Sequence, residues 1–250
     1  MPDNFVVHPN YSNLLPELKN VLLNFSEIGE NVTDGKRNVI KKVVIDGVSF
    51  NIKKFKNPNP LQSLVYRFLR KSKAKRSYEF ALKLTELGIN TPSPVAYFER
   101  FSTGLNESFY ISEHLDYDFD FRVLNHQPNF PDRDDILRQF TQFTFRLHEN
   151  NVNFLDHSPG NTLVLKKDNS YHEYEFYLID LNRMKFETMD FDKRMFNFRR
   201  LWLSKKMIKI MANEYAKLYG KSYVEVHALM TKYSRQFQLK VNSKKMRRRK

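Results

Sequence analysis

Asp156 and Asn161 stand five residues apart in the stretch FLDHSPGNTL, and a second carboxylate, Asp180, follows in YEFYLIDLNR. Singly, each has an ordinary use: an Asp caps a turn, an Asn opens a strand, an Asp closes one. If TLVLKK and YEFYLIDL pair as a hairpin through the polar DNSYHE segment, however, Asn161 and Asp180 fall at the same end of it, beside Asp156. Two carboxylates and an amide oxygen are the hard ligands that Mg2+ takes when it is bound to nucleotide phosphates. The chemistry is then phosphoryl transfer. Asp156 orients or deprotonates an acceptor hydroxyl, while Asn161 and Asp180 hold the metal that neutralises charge on the transferring group.

Such residues need elements to place them. The segment DDILRQFTQFTFRLHEN, just before the loop, carries Ile136, Phe140, Phe143 and Leu147 at spacings of three and four, which predicts an amphipathic helix. Upstream, β-branched residues flank Asp46-Gly47 in NVIKKVVIDGVSFNIKKFK, and this predicts two antiparallel strands over 39–56. Before them GENVTDGKRN supplies Gly29 and Gly35, enough for a flexible loop over phosphates but short of a full glycine-rich signature. RSYEFALKLTELGINTPSP predicts a helix with Phe80, Leu84 and Leu87 on its apolar side, closed by Gly88 and then Pro92 and Pro94. VAYFERF and SFYISEHL predict a further hairpin, and the chain from about Asp192 to Lys240 reads as helical. The expected fold is α+β and two-lobed: a small antiparallel-sheet lobe with one main helix, then a larger, mostly helical lobe.

With 250 residues, 41% of them hydrophobic, the chain can bury a core, and it shows no internal repeat. The absence of Cys excludes disulfides and thiolate metal sites. The amino terminus lacks the pattern of a signal peptide, and nowhere do about 18 uncharged apolar residues run together. A cytoplasmic protein is expected. A net charge of +14 calls for an anionic partner. Between Val48 and Tyr78 there is no acid, while Lys53, Lys54, Lys56, Arg67, Arg70, Lys71, Lys73, Lys75 and Arg76 all fall there. With Val65, Tyr66, Phe68 and Leu69 interleaved, this run suits an anionic membrane surface, as does the basic tail LKVNSKKMRRRK. A nucleic-acid partner is disfavoured, since no recognition module accompanies the charge. His148 and His157 lack a second His or Cys at ligand spacing and read as structural residues.

DHSPGN followed by LIDLNR resembles the catalytic loop and metal-binding Asp of the protein-kinase-like superfamily. Within it the chain resembles the lipopolysaccharide kinase family of the Kdo/WaaP type, for which NIKKFK, YRFLRKSKAKRSYEFALKL and GINTPSP match the strand lysine, the basic segment with its helix, and the Thr-Pro-x-Pro turn. The resemblance covers roughly residues 29 to 201. It implies that Asp156 is the catalytic acid, that Asn161 and Asp180 bind magnesium, and that Lys53 contacts the nucleotide phosphates and is held by Glu79. Lys54 is the adjacent competitor for the lysine role, because a one-residue shift reverses the face, and Glu86 the weaker competitor for the glutamate. Gly35 would cover the phosphates, and adenine would lie near Ser112 and Glu113, on the strand running to Leu115. Phe154 departs from the pattern: protein kinases place a histidine there, which braces the loop, so an aromatic can brace it by packing. Leu181-Asn182 replace Phe-Gly after Asp180, which removes a glycine hinge.

The implied organisation is an N-terminal extension (1–28), a nucleotide-binding lobe (29–115), a catalytic lobe (116–240) and a basic tail (241–250). The implied activity is an ATP- and Mg2+-dependent transfer to a sugar hydroxyl of the lipopolysaccharide inner core, Kdo or heptose on a lipid A precursor, by an enzyme peripheral to the inner face of the cytoplasmic membrane. The alternatives are a small-molecule or atypical protein kinase of the same fold, and a non-catalytic module that binds anionic lipid or RNA.

Overall fold

The computed structural model describes residues 3–33, 38–167 and 172–247, so Gly35 lies outside the described residues. Two units are present, Met1–Asp116 and Tyr117–Lys250.

The first unit is built on strands β1 (Asn4–Val7), β2 (Glu30–Thr33), β3 (Asn38–Ile45), β4 (Val48–Phe55), β5 (Pro94–Phe101) and β6 (Leu105–Glu113). They form one sheet in the order β1-β5-β6-β4-β3-β2, antiparallel throughout. Asp46 and Gly47 join β3 to β4 with φ of 49° and 78°. Positive φ at both central residues is what a two-residue type I′ turn demands, and its twist matches that of the strands it joins.

Three helices accompany this sheet: α1 (Leu15–Leu23), α2 (Pro60–Phe68) and α3 (Lys73–Glu86). Residues 1–28 read as an extension in the sequence, yet β1 pairs with β5, and Leu14, Leu18, Val21 and Phe25 share one core with Phe50, Ile52, Phe109 and Ile111. Each fully buried aliphatic side chain there contributes about 1.5–3 kcal/mol. The other sheet face packs Phe55 and Tyr97 against Ala74 and Tyr78 of α3. Ser72 caps α3 by accepting from the Lys75 amide, and Gly88 leaves it with φ of 65°. Its buried stripe runs through Ala74, Ser77, Tyr78, Ala81 and Leu84. Of the three apolar positions expected to face the core, only Leu84 is fully buried; Phe80 and Leu87 lie at the stripe's margins.

Strand parity decides where the two adjacent lysines of β4 go. Side chains alternate along a strand, so Lys54 falls on the α1 face with Phe50 and Ile52, and Lys53 on the α3 face with Phe55.

The second unit holds short strands among helices. In order these are β7 (Phe119–Asp120), α4 (Arg122–His126), α5 (Arg133–Glu149), β8 (Val152–Phe154), β9 (Thr162–Lys166), β10 (Tyr174–Leu178), β11 (Met184–Phe186), α6 (Phe191–Asn197), α7 (Lys205–Tyr219) and α8 (Tyr223–Arg247). The sheets are β10-β9-β7 and β11-β8. In α5, Ile136, Phe140, Phe143 and Leu147 are all buried, as their spacing requires, and α5 packs on α7, which packs on α8. Helix α8 continues to Arg247, carrying much of the basic tail on a helix. No helix among the described residues is long and apolar enough to cross a membrane.

Candidate active site

Hairpin pairing builds the acidic centre of the second unit. Phe154 on β8 faces Met184 on β11, and the Leu155 amide donates to the Arg183 carbonyl at 3.0 Å, which fixes the backbone just before Asp156. A 3-10 turn at Pro159–Asn161 follows. There the Asn161 side-chain Nδ2 donates to the Asp156 carbonyl at 2.9 Å, while the Ile179 amide donates to the Asn161 carbonyl at 3.0 Å. Asp180 comes next, in the left-handed region with φ of 57°, its Oδ1 accepting from Asn182 Nδ2 at 2.5 Å. A non-glycine residue pays for that conformation unless its surroundings fix it, and such outliers gather at functional sites. Two hydrogen bonds therefore tie the backbone at Asp156, Asn161 and Ile179 together, and Asp180 is the next residue in the chain.

This arrangement suits Mg2+. With its Nδ2 committed to Asp156, Asn161 presents Oδ1 as an acceptor, and Asp180 supplies a carboxylate. Among the described residues there is no cluster of three or more His, Cys, Asp or Glu that could cage a metal. One carboxylate and one amide oxygen, completed by phosphate and water, is how magnesium is held at nucleotide sites.

Asp156 itself is mostly buried and meets two guanidinium groups: Arg200 Nη2 lies 2.7 Å from Oδ1, and Arg183 Nη1 lies 3.5 Å from Oδ2. A third, on Arg122, sits where a Cβ on Gly160 would be, so any side chain at 160 would displace it.

The brace beneath the loop differs from a histidine at 154. Phe154 is buried, its ring 5.9 Å from that of His157. The polar share of the bracing comes from Asn197, at the end of α6. Its Nδ2 donates to the Phe154 carbonyl at 3.0 Å and to Asn153 Oδ1 at 3.1 Å, and its Oδ1 accepts from His157 Nδ1 at 2.8 Å. Sequence reasoning missed Asn197 because nothing in its own neighbourhood marks it. A buried Asn near the end of an amphipathic helix is the signal available.

His148 and His157 are structural, as their spacing suggested. Burial pushes His148 down to about 3 and His157 down to about 4; a hydrogen bond to Asn197 opposes the shift without reversing it. Both Nε2 atoms are buried and have no hydrogen-bond partner among the described residues. Unfolding returns each imidazole to an ordinary value near 6.5. The unfolded chain thus binds more protons than the folded one from about pH 6.5 downward. Stability is full above that value and is lost on acidification towards pH 4, at about 1.4 kcal/mol per unit per histidine. Thermal unfolding across this range is expected to show Tm falling with pH, and His148→Gln should reduce the slope.

In the first unit, Lys54 Nζ pairs with Glu107 at 2.5 Å and lies over the rings of Phe109 and Phe25. Lys53 Nζ lies 5.3 Å from the Phe55 ring centre, on the face that packs α3. Glu79, on that helix, gives both oxygens to Lys71, at 2.9 and 2.8 Å, a partner the sequence did not suggest. Ser112 is buried in β6, its backbone paired with Asn51 and Pro94. Glu113 donates its amide to the Ser93 carbonyl at 2.9 Å and accepts the Tyr11 hydroxyl at 2.7 Å. Burial and that carboxylate push Tyr11 up to about 12. The Glu113 side chain thus ties the amino-terminal segment to the sheet.

A model of the lipopolysaccharide kinase (Kdo/WaaP) family matches residues 61–223. No curated protein sequence matches the chain. Among solved structures, one described as WaaP in complex with acyl carrier protein is similar with a TM-score of 0.67 at 16% identity, over 94% of this chain and 98% of that chain.

Proposed function

The chain belongs to the lipopolysaccharide kinase (Kdo/WaaP) family, phosphotransferases with an alcohol group as acceptor, and from that premise we propose an ATP- and Mg2+-dependent transfer to a sugar hydroxyl of the lipopolysaccharide inner core, on Kdo or heptose of a lipid A precursor. Its α+β fold is kinase-like. The observation that carries the reading is the pair of hydrogen bonds that ties Asp156 to Asn161 and Asn161 to Ile179, the residue before Asp180.

In this mechanism Asp156 accepts the proton of the acceptor hydroxyl as its oxygen bonds to the γ-phosphorus of ATP. The bond from that phosphorus to the bridging oxygen breaks, and ADP leaves. Asn161 Oδ1 and the Asp180 carboxylate would hold Mg2+, which neutralises charge on the phosphates. Lys53 contacts the nucleotide phosphates. Lys54 is unsuited, since Glu107 and two rings hold it on the opposite face of β4. Adenine is read by the main chain beyond Glu113.

A lipid-linked acceptor gives the surface of α2 a purpose. Leu61, Leu64, Phe68 and Leu69 are exposed at or just beyond this helix, beside Arg67, Arg70 and Lys71. Apolar side chains ringed by cations suit the headgroup layer of an anionic membrane, and this supports a peripheral position at the inner face of the cytoplasmic membrane as part of the proposal. Purified protein, ATP and Mg2+ incubated with Kdo-bearing lipid A in anionic vesicles should yield a product one phosphate heavier by mass spectrometry, with protein sedimenting alongside the vesicles. Unmodified lipid after exhaustive incubation would count against the activity.

A further inference from the structure

Both oxygens of the acid assigned to the acceptor hydroxyl are already met by guanidinium groups. An oxygen occupied by a guanidinium is closed to an incoming hydroxyl. For a neutral acceptor this arrangement would only slow the reaction. It becomes useful if something in the acceptor takes an arginine away.

The two arginines differ in how firmly they are held. Arg200 belongs to the 3-10 turn Phe198–Leu201, whose Phe198 and Leu201 are buried, and Asn125 Nδ2 donates to the Leu201 carbonyl at 2.8 Å. Its guanidinium lies over the Phe237 ring of α8 at 5.5 Å, with Nε buried. Arg200 is a fixed support. Arg183 has its backbone fixed by the Leu155 amide, but its side chain is 59% exposed and touches Asp156 at only 3.5 Å. A guanidinium carries five N–H donors, more than this one contact uses. Arg122, also exposed and paired with Asp120 at 3.0 Å, adds a third guanidinium beside the same loop at Gly160. Around residues 156 to 160 three guanidinium groups gather, two of them on Asp156 and one on Asp120.

We propose that Arg183, backed by Arg200, forms a subsite for an anionic group of the acceptor sugar, a carboxylate or a phosphate near the reacting hydroxyl. The planar guanidinium fork fits either oxyanion through paired hydrogen bonds. Binding of that anion draws Arg183 off Asp156 Oδ2 and opens this oxygen to the incoming hydroxyl, while Arg200 keeps Oδ1 in place. The acceptor's charge thereby frees the acid that acts on it, and an uncharged sugar leaves that acid masked. This rests on the phosphotransfer reading of Asp156.

The test compares wild type, Arg183→Gln and Arg183→Lys, full-length, in direct binding without nucleotide. The probes are Kdo-bearing lipid A, the same lipid with its Kdo carboxyl reduced to the alcohol, and the same lipid dephosphorylated. Arg183→Gln should bind the intact lipid about tenfold or more weakly, the strength of a charge-assisted pair, with ATP affinity unchanged. Arg183→Lys should recover part of the loss. One of the two modified lipids should bind wild type as weakly as the intact lipid binds Arg183→Gln, and which one names the anion. Equal binding of all three lipids to wild type and Arg183→Gln overturns the proposal. So does weakened ATP affinity with acceptor binding intact, which would assign the guanidinium to the γ-phosphate. Charge-dependent binding without any phosphorylated product would leave the subsite standing and remove the phosphotransfer reading; normal turnover insensitive to acceptor charge would do the reverse.

Discussion

Asp156→Asn is expected to lower kcat for phosphotransfer by about 10²–10⁴-fold, the range of a positioned proton acceptor, with little change in ATP affinity. The two side chains have the same shape, so the packing of the loop on Phe154 and Asn197 survives. Asn161 donates to the main-chain carbonyl of residue 156, which the substitution leaves in place. What is lost is the charge that accepts the hydroxyl proton. An amide also offers only one acceptor oxygen, so one of the two arginines loses its partner. Single-turnover measurement at saturating ATP isolates the chemical step. A variant that keeps more than about a tenth of wild-type turnover, below the range for a positioned base, would show that Asp156 serves the loop's structure alone.

The second large effect separates two neighbours. Lys53→Met should raise the KM for ATP and lower kcat together, by about 10²-fold or more in kcat/KM, because a charged phosphate contact made in the transition state is removed. Lys54→Met should leave the KM for ATP within about twofold, since that lysine lies on the other side of the sheet. Its cost falls on stability. The pair with Glu107 is partly exposed, and Glu107 keeps Arg100 at 3.0 Å, so about 1 kcal/mol is the appropriate scale. Steady-state kinetics and thermal unfolding on the same two preparations decide the matter. If Lys54→Met damages ATP use and Lys53→Met does not, the assignment reverses.

The sequence was most informative where structure is set locally. The Asp46-Gly47 turn and the spacing of Ile136, Phe140, Phe143 and Leu147 state their geometry in adjacent or same-face residues, and both are found as expected. The hairpin of β9 and β10 could also be read, because two apolar runs and the polar segment between them specify it within 17 residues, Thr162 to Leu178. Other contributions come from residues far apart in the chain. Asn197 reaches Phe154 across 43 positions, and Arg200 belongs to a 3-10 turn with no periodic signature. A guanidinium aimed at a carboxylate leaves no mark in composition or spacing. The tie between Lys71 and Glu79 spans eight residues from before the α3 cap to its second turn, a geometry outside the usual three- and four-residue helix pairs. Four-residue β1 is too short for its alternation to stand out, so its place in the sheet could not be read from the amino terminus alone.

That first strand also has a consequence for how the protein is made. Asn4 on β1 hydrogen-bonds to Glu99 on β5, 95 residues away. At synthesis rates of about 5–20 residues per second, β1 emerges roughly 5–20 s before its partner exists. Strand β1 therefore waits for its partner while β3 and β4, which follow it in the chain, can already pair with each other, and its shortness limits how much unpaired backbone it offers to other nascent chains meanwhile.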